Sequence, residues 1–194
     1  MTTTAFYQPT SVTNVTVHND VTHQDSIDWN HNGAITSNNY AVTSKPLYTI
    51  SGVWMERFLS NTSQLWCTHF NIPNSGRTVQ GIEFNLLMER YSRVEDLLIQ
   101  LTLGGVLIGE NRASTINPEV ANMYSADSLQ PPLEAPGNNY TYGSSTDLWG
   151  TTNLTSANLH DPTFGIVVSF KSNVAYPHRD LAYLYQLGIR ITYA

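Results

Sequence analysis

The sequence predicts an all-β protein, an antiparallel β-sandwich of jelly-roll type with about eight strands. Only 12% of the 194 residues are charged, about half of the usual share for soluble domains. Thr, Ser and Asn carry the solubility instead, and these residues suit pleated surfaces and turns better than surface helices. The most apolar segments alternate with a period of two, which is the period of a strand. Because a sheet with one apolar face buries it against a second sheet, the pattern indicates a sandwich.

The first 25 residues differ in composition from the rest of the chain. They are rich in Thr, Asn, Val and His and have little aliphatic bulk, so we expect an extended N-terminal arm followed by a single sandwich domain over residues 26–194. Weak alternation from Val12 to Val17 predicts a short strand. Because the arm cannot offset its backbone entropy by packing on its own domain, we expect strand addition with a neighbouring chain to order it.

The first strong strand signals lie in the second quarter of the chain. Residues 47–50 and 53–55 flank Ser51-Gly52 and predict a bent or bulged pair. Residues 64–72 predict a further strand that ends in the turn Pro73–Gly76. Its alternation assigns one face to Trp66, Thr68, Phe70 and Ile72 and the other to Leu65, Cys67 and His69.

The middle of the chain carries two further strand patterns. Apolar residues at a spacing of two predict a strand over residues 79–91, although a helix over residues 84–101 competes because some Leu, Tyr and Val residues also recur every three or four positions. We favour the strand. The pattern over residues 97–103 leads into Gly104-Gly105 and predicts a hairpin to residues 106–108. Four carboxylates in this stretch are expected to face solvent: Glu83, Glu89, Glu95 and Asp96.

A long segment without periodicity, residues 109–147, follows the hairpin. It exceeds usual loop lengths, so we expect it to cover one end of the sheets, to contain short strands or to form a contact surface. Aromatic faces supply contact area at low entropic cost. The candidate ligand or partner contacts are therefore Tyr124, Tyr140, Tyr142 and Trp149. In the alternative interpretation, Trp149 and the two nearer Tyr side chains cap the sandwich core.

The C-terminal part has the clearest alternation of the chain. Residues 164–170 predict one strand and residues 181–193 predict the last one. In the last strand the alternation assigns one face to Leu181, Tyr183, Tyr185, Leu187, Ile189, Ile191 and Tyr193.

No residue pattern predicts catalysis, a bound cofactor or a metal site. Residues Asp28–Gly33 match the opening of a calcium loop, but Asn39 stands where a bidentate Glu is required, so we favour an Asx turn. The six His residues lack metal-ligand spacing, and Cys67 is the single cysteine. No nucleophile motif or phosphate-binding glycine motif occurs.

Charge and hydropathy bear on the partners. The formal net charge of −6 and the pI of about 5.4 disfavour nucleic-acid binding. No apolar run approaches the roughly 20 residues of a membrane-spanning helix, so we expect no membrane span. The N-terminal residues lack the pattern of a signal peptide, so we expect synthesis in the cytoplasm.

Several short motifs resemble a β-sandwich module of tailed-bacteriophage virion proteins. In that module a YGGSTDLWG turn precedes the pattern LT-x-x-x-[IL]-[NH]-x-P-x-FG and a final strand that ends in I-x-[IV]-x-Y. Here the corresponding residues are Tyr142–Gly150, Leu154–Gly165 and Ile189–Tyr193, with further matches at Asp28–Asn30, Tyr40-Ala41, Phe70–Pro73, Val79–Ile82 and Gly109–Ala113. The resemblance covers residues 26–194. The chain departs from the module at Gly143-Ser144, where two glycines are common, and in the Pro-rich insert from Ser125 to Asn139.

The resemblance implies a non-enzymatic component of a phage particle. We expect a tail appendage, fibre or receptor-binding protein, located in the virion after synthesis in the host cytoplasm. Its expected partners are other virion proteins and further copies of itself, and the phage relatives suggest a trimer. One alternative is a capsid decoration protein on the phage head. Another is a glycan-binding module that contacts the host surface through the long loop.

Overall fold

The computed structural model describes residues 1–15, 51–55, 61–91, 94–113, 138–172 and 180–194. Within these ranges the chain forms ten strands and one short helix. The elements are β1 (Thr2–Thr3), β2 (Ser11–Val15), β3 (Ser51–Met55), β4 (Gln64–Thr68), β5 (Val79–Tyr91), β6 (Val94–Leu103), β7 (Val106–Ile108), β8 (Asn138–Gly143), α1 (Ser156–His160), β9 (Gly165–Ser172) and β10 (Asp180–Tyr193).

The strands form two antiparallel sheets that pack together, which confirms the predicted all-β sandwich. The first sheet has the order β1-β10-β5-β8, and β3 pairs with β10 beyond β1. The second sheet has the order β2-β4-β9-β6-β7. The pairing of β5 with β10 runs from Tyr91 opposite Leu181 to Val79 opposite Tyr193, and it is the longest ladder between the described strands.

The core lies between the two sheets and draws alternate residues from both. Buried side chains from β5 and β10 face buried side chains from β4, β6 and β9, as the period of two requires. The fully buried large side chains include Trp149, Phe84, Phe164 and Phe170. Cys67 is buried among them, and burial raises the pKa of its thiol, so the group stays neutral at physiological pH.

The competing helix over residues 84–101 is not formed. The described residues of that stretch belong to β5 and β6, as the alternation predicted. The predicted hairpin is also confirmed: β6 and β7 pair around Gly104 and Gly105, whose φ angles of 63° and 77° lie in the left-handed region that glycine favours.

Three register shifts interrupt the ladders between the described strands, and at two of them the simple alternation was wrong about which residues face the core. The ladder between β10 and β5 slips between Leu184 and Gln186, so that Leu184 and Leu187 are both buried. The ladder between β6 and β9 slips between Asp96 and Leu98. As a result Leu97 is exposed, while Asp96 and Glu95 are buried rather than solvent-facing as expected.

The face assignment after β4 was also wrong. Leu65 and Cys67 are buried, whereas Trp66 and Thr68 point outward. The strand ends at Thr68; the next residue, His69, has a φ of 58°, and Asn71 has a φ of 54°. These two residues with left-handed backbone interrupt the alternation. Phe70 and Ile72 are therefore buried in the core together with Leu65 and Cys67, which had been assigned to the opposite face.

The N-terminal segment pairs with both sheets of its own chain. Thr2 and Thr3 lie opposite Tyr193 and Thr192 of β10, and Tyr7 forms a bridge with Ile189. The predicted strand is present over Ser11–Val15 as β2, where it pairs with β4 of the same chain. Residues 16–25 lie outside the described residues, so the arm boundary near residue 26 stays a prediction.

Deleting residues 2–15 should therefore destabilise the sandwich. The deletion removes the amide donors of Thr4, Tyr7 and Thr10, which bond to Ile191, Ile189 and His69, and it removes the β2 ladder. Each such bond contributes about 1 kcal/mol. We expect the melting temperature, measured by circular dichroism, to fall by roughly 5–10 °C. An unchanged melting temperature would contradict this pairing and would fit an independent arm.

Candidate functional site

The four aromatic candidates have different positions. Tyr124 lies outside the described residues. Tyr140 and Tyr142 lie on β8, inside the segment that was expected to be loop, and Trp149 follows in the turn after β8. Tyr140 is half-buried and packs against the core, whereas Tyr142 and Trp149 are 7% and 0% exposed. The structure thus agrees with the core-capping interpretation for Tyr142 and Trp149.

Tyr142 connects the two sheets through its ring and its hydroxyl. The ring lies 6.1 Å from that of Phe84, centroid to centroid, on the neighbouring strand β5. The hydroxyl donates to Asp96 Oδ2 of β6, in the other sheet, at 2.9 Å. The bond gives Oδ2 of this buried carboxyl group a partner from the opposite sheet. A sugar ring could not stack on Tyr142 without displacing it from the core.

Trp149 closes one end of the sandwich. Its backbone φ is 58°, and the indole N–H donates to the carbonyl oxygen of Ile82 on β5 at 2.9 Å. The Trp149 amide donates to Asp147 Oδ1 at 2.7 Å, and its carbonyl oxygen accepts from the Glu110 amide at 2.7 Å. The indole N–H, the amide and the carbonyl oxygen are all bonded in this conformation. We call residues 144–150 the Trp149 turn.

Glycines allow the Trp149 turn to approach its neighbours. A Cβ on Gly143 would overlap the carbonyl oxygen of Ile82 and lie 2.7 Å from Trp149 Nε1. A Cβ on Gly81 would overlap the backbone of the turn at Ser145, and one on Gly109 would overlap the Trp149 carbonyl oxygen. At these positions a side chain and the turn exclude each other.

Charged and amide side chains hold the segment after β7 against the Trp149 turn. Arg112 pairs with Glu110 at 2.9 Å and with Asp147 at 2.8 Å. The side-chain oxygen of Asn111 accepts from the Ile99 amide, and its amide group donates to the Leu97 carbonyl oxygen, so that it acts as a short extension of the sheet. The sequence analysis assigned no role to residues 109–113. The pattern that could have indicated their role is a glycine at position 109 followed by opposite charges at positions 110 and 112.

A second group of loops closes the same end. Thr155 and Asn158 form a capping box at the start of α1, and Ser156 donates to Asn74 at 3.0 Å. His160 Nδ1 lies 2.9 Å from the carbonyl oxygen of Ile72. Two of the segments that carried the resemblance, Tyr142–Gly150 and Leu154–Gly165, thus form turns and a helix cap beside the ends of β4, β5 and β9, whereas Asp28–Asn30 and Tyr40-Ala41 lie outside the described residues.

The described residues bear on metals and membranes in two further ways. No group of three or more His, Cys, Asp or Glu side chains in this part of the chain is arranged to hold a metal ion. Over the same residues, no helix has the length and apolar character needed to cross a membrane. The Asp28–Gly33 motif lies outside the described residues.

Comparison of the chain with protein-family models, curated proteins and solved structures finds no match.

Gly143→Ala should cost more than about 3 kcal/mol of unfolding free energy, because it combines backbone strain with overlap at Ile82 and Trp149. Gly76→Ala is the matched control. Gly76 also has a positive φ, of 64°, but nothing lies within 4 Å of its Cβ position, so only strain of roughly 1–2 kcal/mol should appear. Urea denaturation of the two variants measures the difference. Equal costs would show that the Trp149 turn is not packed as described.

Asp161 should make the stability of this end dependent on pH. Hydrogen bonds from the Thr163 side chain and backbone, at 2.6 and 2.8 Å, lower the pKa of the Asp161 carboxyl. The stabilising effect is therefore present above the ordinary pKa of about 3.9 and is lost as the pH falls through the lowered pKa. In thermal melts from acid to neutral pH, the difference between wild type and Asp161→Asn should shrink toward acid. A difference independent of pH would contradict this role.

Proposed function

We propose that the protein is a non-enzymatic structural component of a tailed-bacteriophage virion, with a tail appendage or receptor-binding component as the leading role. The supporting observation is the combined role of the motifs that resemble the phage module. Among the segments Tyr142–Gly150 and Gly109–Ala113, Arg112 pairs with Asp147 and Trp149 bonds to the first sheet at Ile82. In the third segment, Leu154–Gly165, a capping box starts α1, and His160 lies within hydrogen-bond distance of the Ile72 carbonyl oxygen. A module that recurs among virion proteins is expected to keep such shape-determining residues while its surface varies.

The chemistry of the described surface also fits a protein that assembles. At the hairpin tip of the second sheet, Val106 and Leu107 are 60% and 38% exposed. Apolar tips can be buried against a partner at a lower desolvation cost than charged surfaces. The outer face of the first sheet is less uniform: Asn85 donates to Thr141 at 3.1 Å, and Arg190 pairs with Glu83.

The glycan-binding alternative has less support from these residues. Two of its candidate stacking residues, Tyr142 and Trp149, are buried and hydrogen-bonded. Tyr140, which is half-buried, is the one of the three described candidates with an accessible portion. We therefore retain assembly into the particle as the proposed function, and we treat sugar binding as an outcome of the test.

The test is the composition and structure of purified particles of the phage that encodes the chain. Mass spectrometry should find the protein in a fixed ratio to the major virion proteins, and cryo-electron microscopy should place the sandwich on the tail. Density on the head would instead assign a decoration role and overturn the tail assignment. Absence from the particle would overturn the proposal as a whole.

Two substitutions test whether the hairpin tip of the second sheet mediates incorporation into particles. Val106→Asp changes an exposed apolar side chain and should leave the melting temperature unchanged while reducing incorporation into particles. Thr152→Asp is the matched control, because it places the same charge at an exposed polar position away from the hairpin tip. Binding of the wild type to a glycan array that is lost in Tyr140→Ala, with incorporation unaffected by Val106→Asp, would favour the glycan-binding function over this one.

A further inference from the structure

The N-terminal segment, residues 1–15, occupies two sheet edges on the same side of the sandwich. Residues Thr2–Tyr7 lie along β10 of the first sheet, and Ser11–Val15 lies along β4 of the second. Pro9 is buried between the two paired blocks, where the chain crosses from one sheet to the other. Pro has no amide donor, so a position between two ladders suits it. The two edges thus act as one site for a single extended peptide.

Most of the polar contacts that hold the segment are main-chain contacts at the edges. The Tyr7 amide donates to the Ile189 carbonyl oxygen at 2.7 Å, and the Ile189 amide donates back to Tyr7 at 2.8 Å. The Thr10 amide and hydroxyl both donate to the His69 carbonyl oxygen. Side chains add a smaller part: Tyr7 and Val12 pack against the core, and Phe6 lies under the Arg190 guanidinium. Such a binding mode is that of strand addition, in which backbone bonds supply the affinity.

The segment has no features that oppose pairing with another molecule. It contains no Asp, Glu, Lys or Arg, and seven of its fifteen residues are Thr or Val. Natural edge strands commonly carry charges, above all Lys, that block such pairing. In addition, 35 residues separate Val15 from Ser51 in the sequence. A chain of that length reaches at most about 120 Å, so its length alone does not confine the segment to its own sandwich.

We infer that the paired edges of β10 and β4 form a bipartite strand-acceptor site, and that this site also takes the N-terminal segment of a second copy of the chain. In the exchanged dimer each segment makes, with the other copy, the same contacts that it makes with its own sandwich in the closed monomer. The two forms therefore differ in free energy mainly by the cost of association, which falls as the protein concentration rises. The inference does not depend on the virion assignment, because it concerns the purified chain.

Disulfide trapping in the full chain tests both halves of the site. Val12 lies directly opposite Cys67, so Val12→Cys places a thiol beside the native one and reports on the β4 edge. Thr3 and Thr192 are opposite each other with their hydroxyl oxygens 3.1 Å apart, so the pair Thr3→Cys with Thr192→Cys reports on the β10 edge. Thr13→Cys is the control, because residue 13 is exposed and lies opposite Trp66.

Each variant is concentrated under reducing conditions and then oxidised, and the disulfides are mapped by mass spectrometry. Exchange predicts covalent dimers joined through residues 12 and 67 and, in the second variant, through residues 3 and 192. While monomer predominates, a tenfold rise in protein concentration should raise the ratio of covalent dimer to monomer roughly tenfold. Thr13→Cys should give no linkage between residues 13 and 67.

Three results would overturn the inference. Disulfides that stay within one chain at every concentration would show that the segment pairs only with its own sandwich. Dimers in one variant and monomers in the other would show that the two edges do not accept one segment together. If neither variant forms the expected disulfide while both melt like the wild type, the segment does not occupy these edges. Each result is independent of whether the protein is found in phage particles.

Discussion

The closure of one end of the sandwich depends on Trp149. Where two packed sheets end, their core is open to water unless side chains cover it, and here Trp149 is the fully buried side chain that also bonds to both layers. The indole N–H donates to the Ile82 carbonyl oxygen in the first sheet. The Trp149 carbonyl oxygen accepts from the amide of Glu110, which follows β7 of the second sheet. This arrangement requires a left-handed backbone at a large residue, which is unfavourable in itself. The hydrogen bonds and the burial of the indole compensate for that strain.

The sequence predicted the strands well because the period of two is a local property. Residues 79–91, 165–172 and 180–193 form strands where alternation indicated them. The faces were less predictable, because a bulge is a relation between two strands. After Leu184 in β10 and after Asp96 in β6, the strand advances by two residues while its partner strand advances by one. The alternation within a single strand gives no sign of this extra residue. The left-handed residues His69 and Asn71 had the same effect after β4, and neither is a glycine that would have marked the position.

The candidate site was predictable in its residue types but not in its burial. Tyr140, Tyr142 and Trp149 were singled out as aromatics in a segment without periodicity, and such a segment cannot show whether a ring points inward. The better signal lay in the neighbouring glycines. Gly109 and Gly143 both stand where a side chain would overlap the Trp149 turn or its partner strand. Glycines that flank an aromatic from several distant segments indicate close backbone approach, which favours a packed turn over an open platform.

The composition of the N-terminal segment did not predict its pairing with its own sandwich, because composition describes side chains, whereas this pairing depends on the backbone. A segment with few large apolar residues has little to bury, yet a strand edge offers hydrogen bonds to any sequence that can lie extended. The other lateral edges among the described strands are protected differently: β7 has only three residues, and β8 has six. Short edge strands offer little length for addition. The two sides of the sandwich therefore differ. One side ends in the short strands β7 and β8. On the other side, the N-terminal segment covers parts of the edges of β10 and β4, and backbone hydrogen bonds hold most of it there.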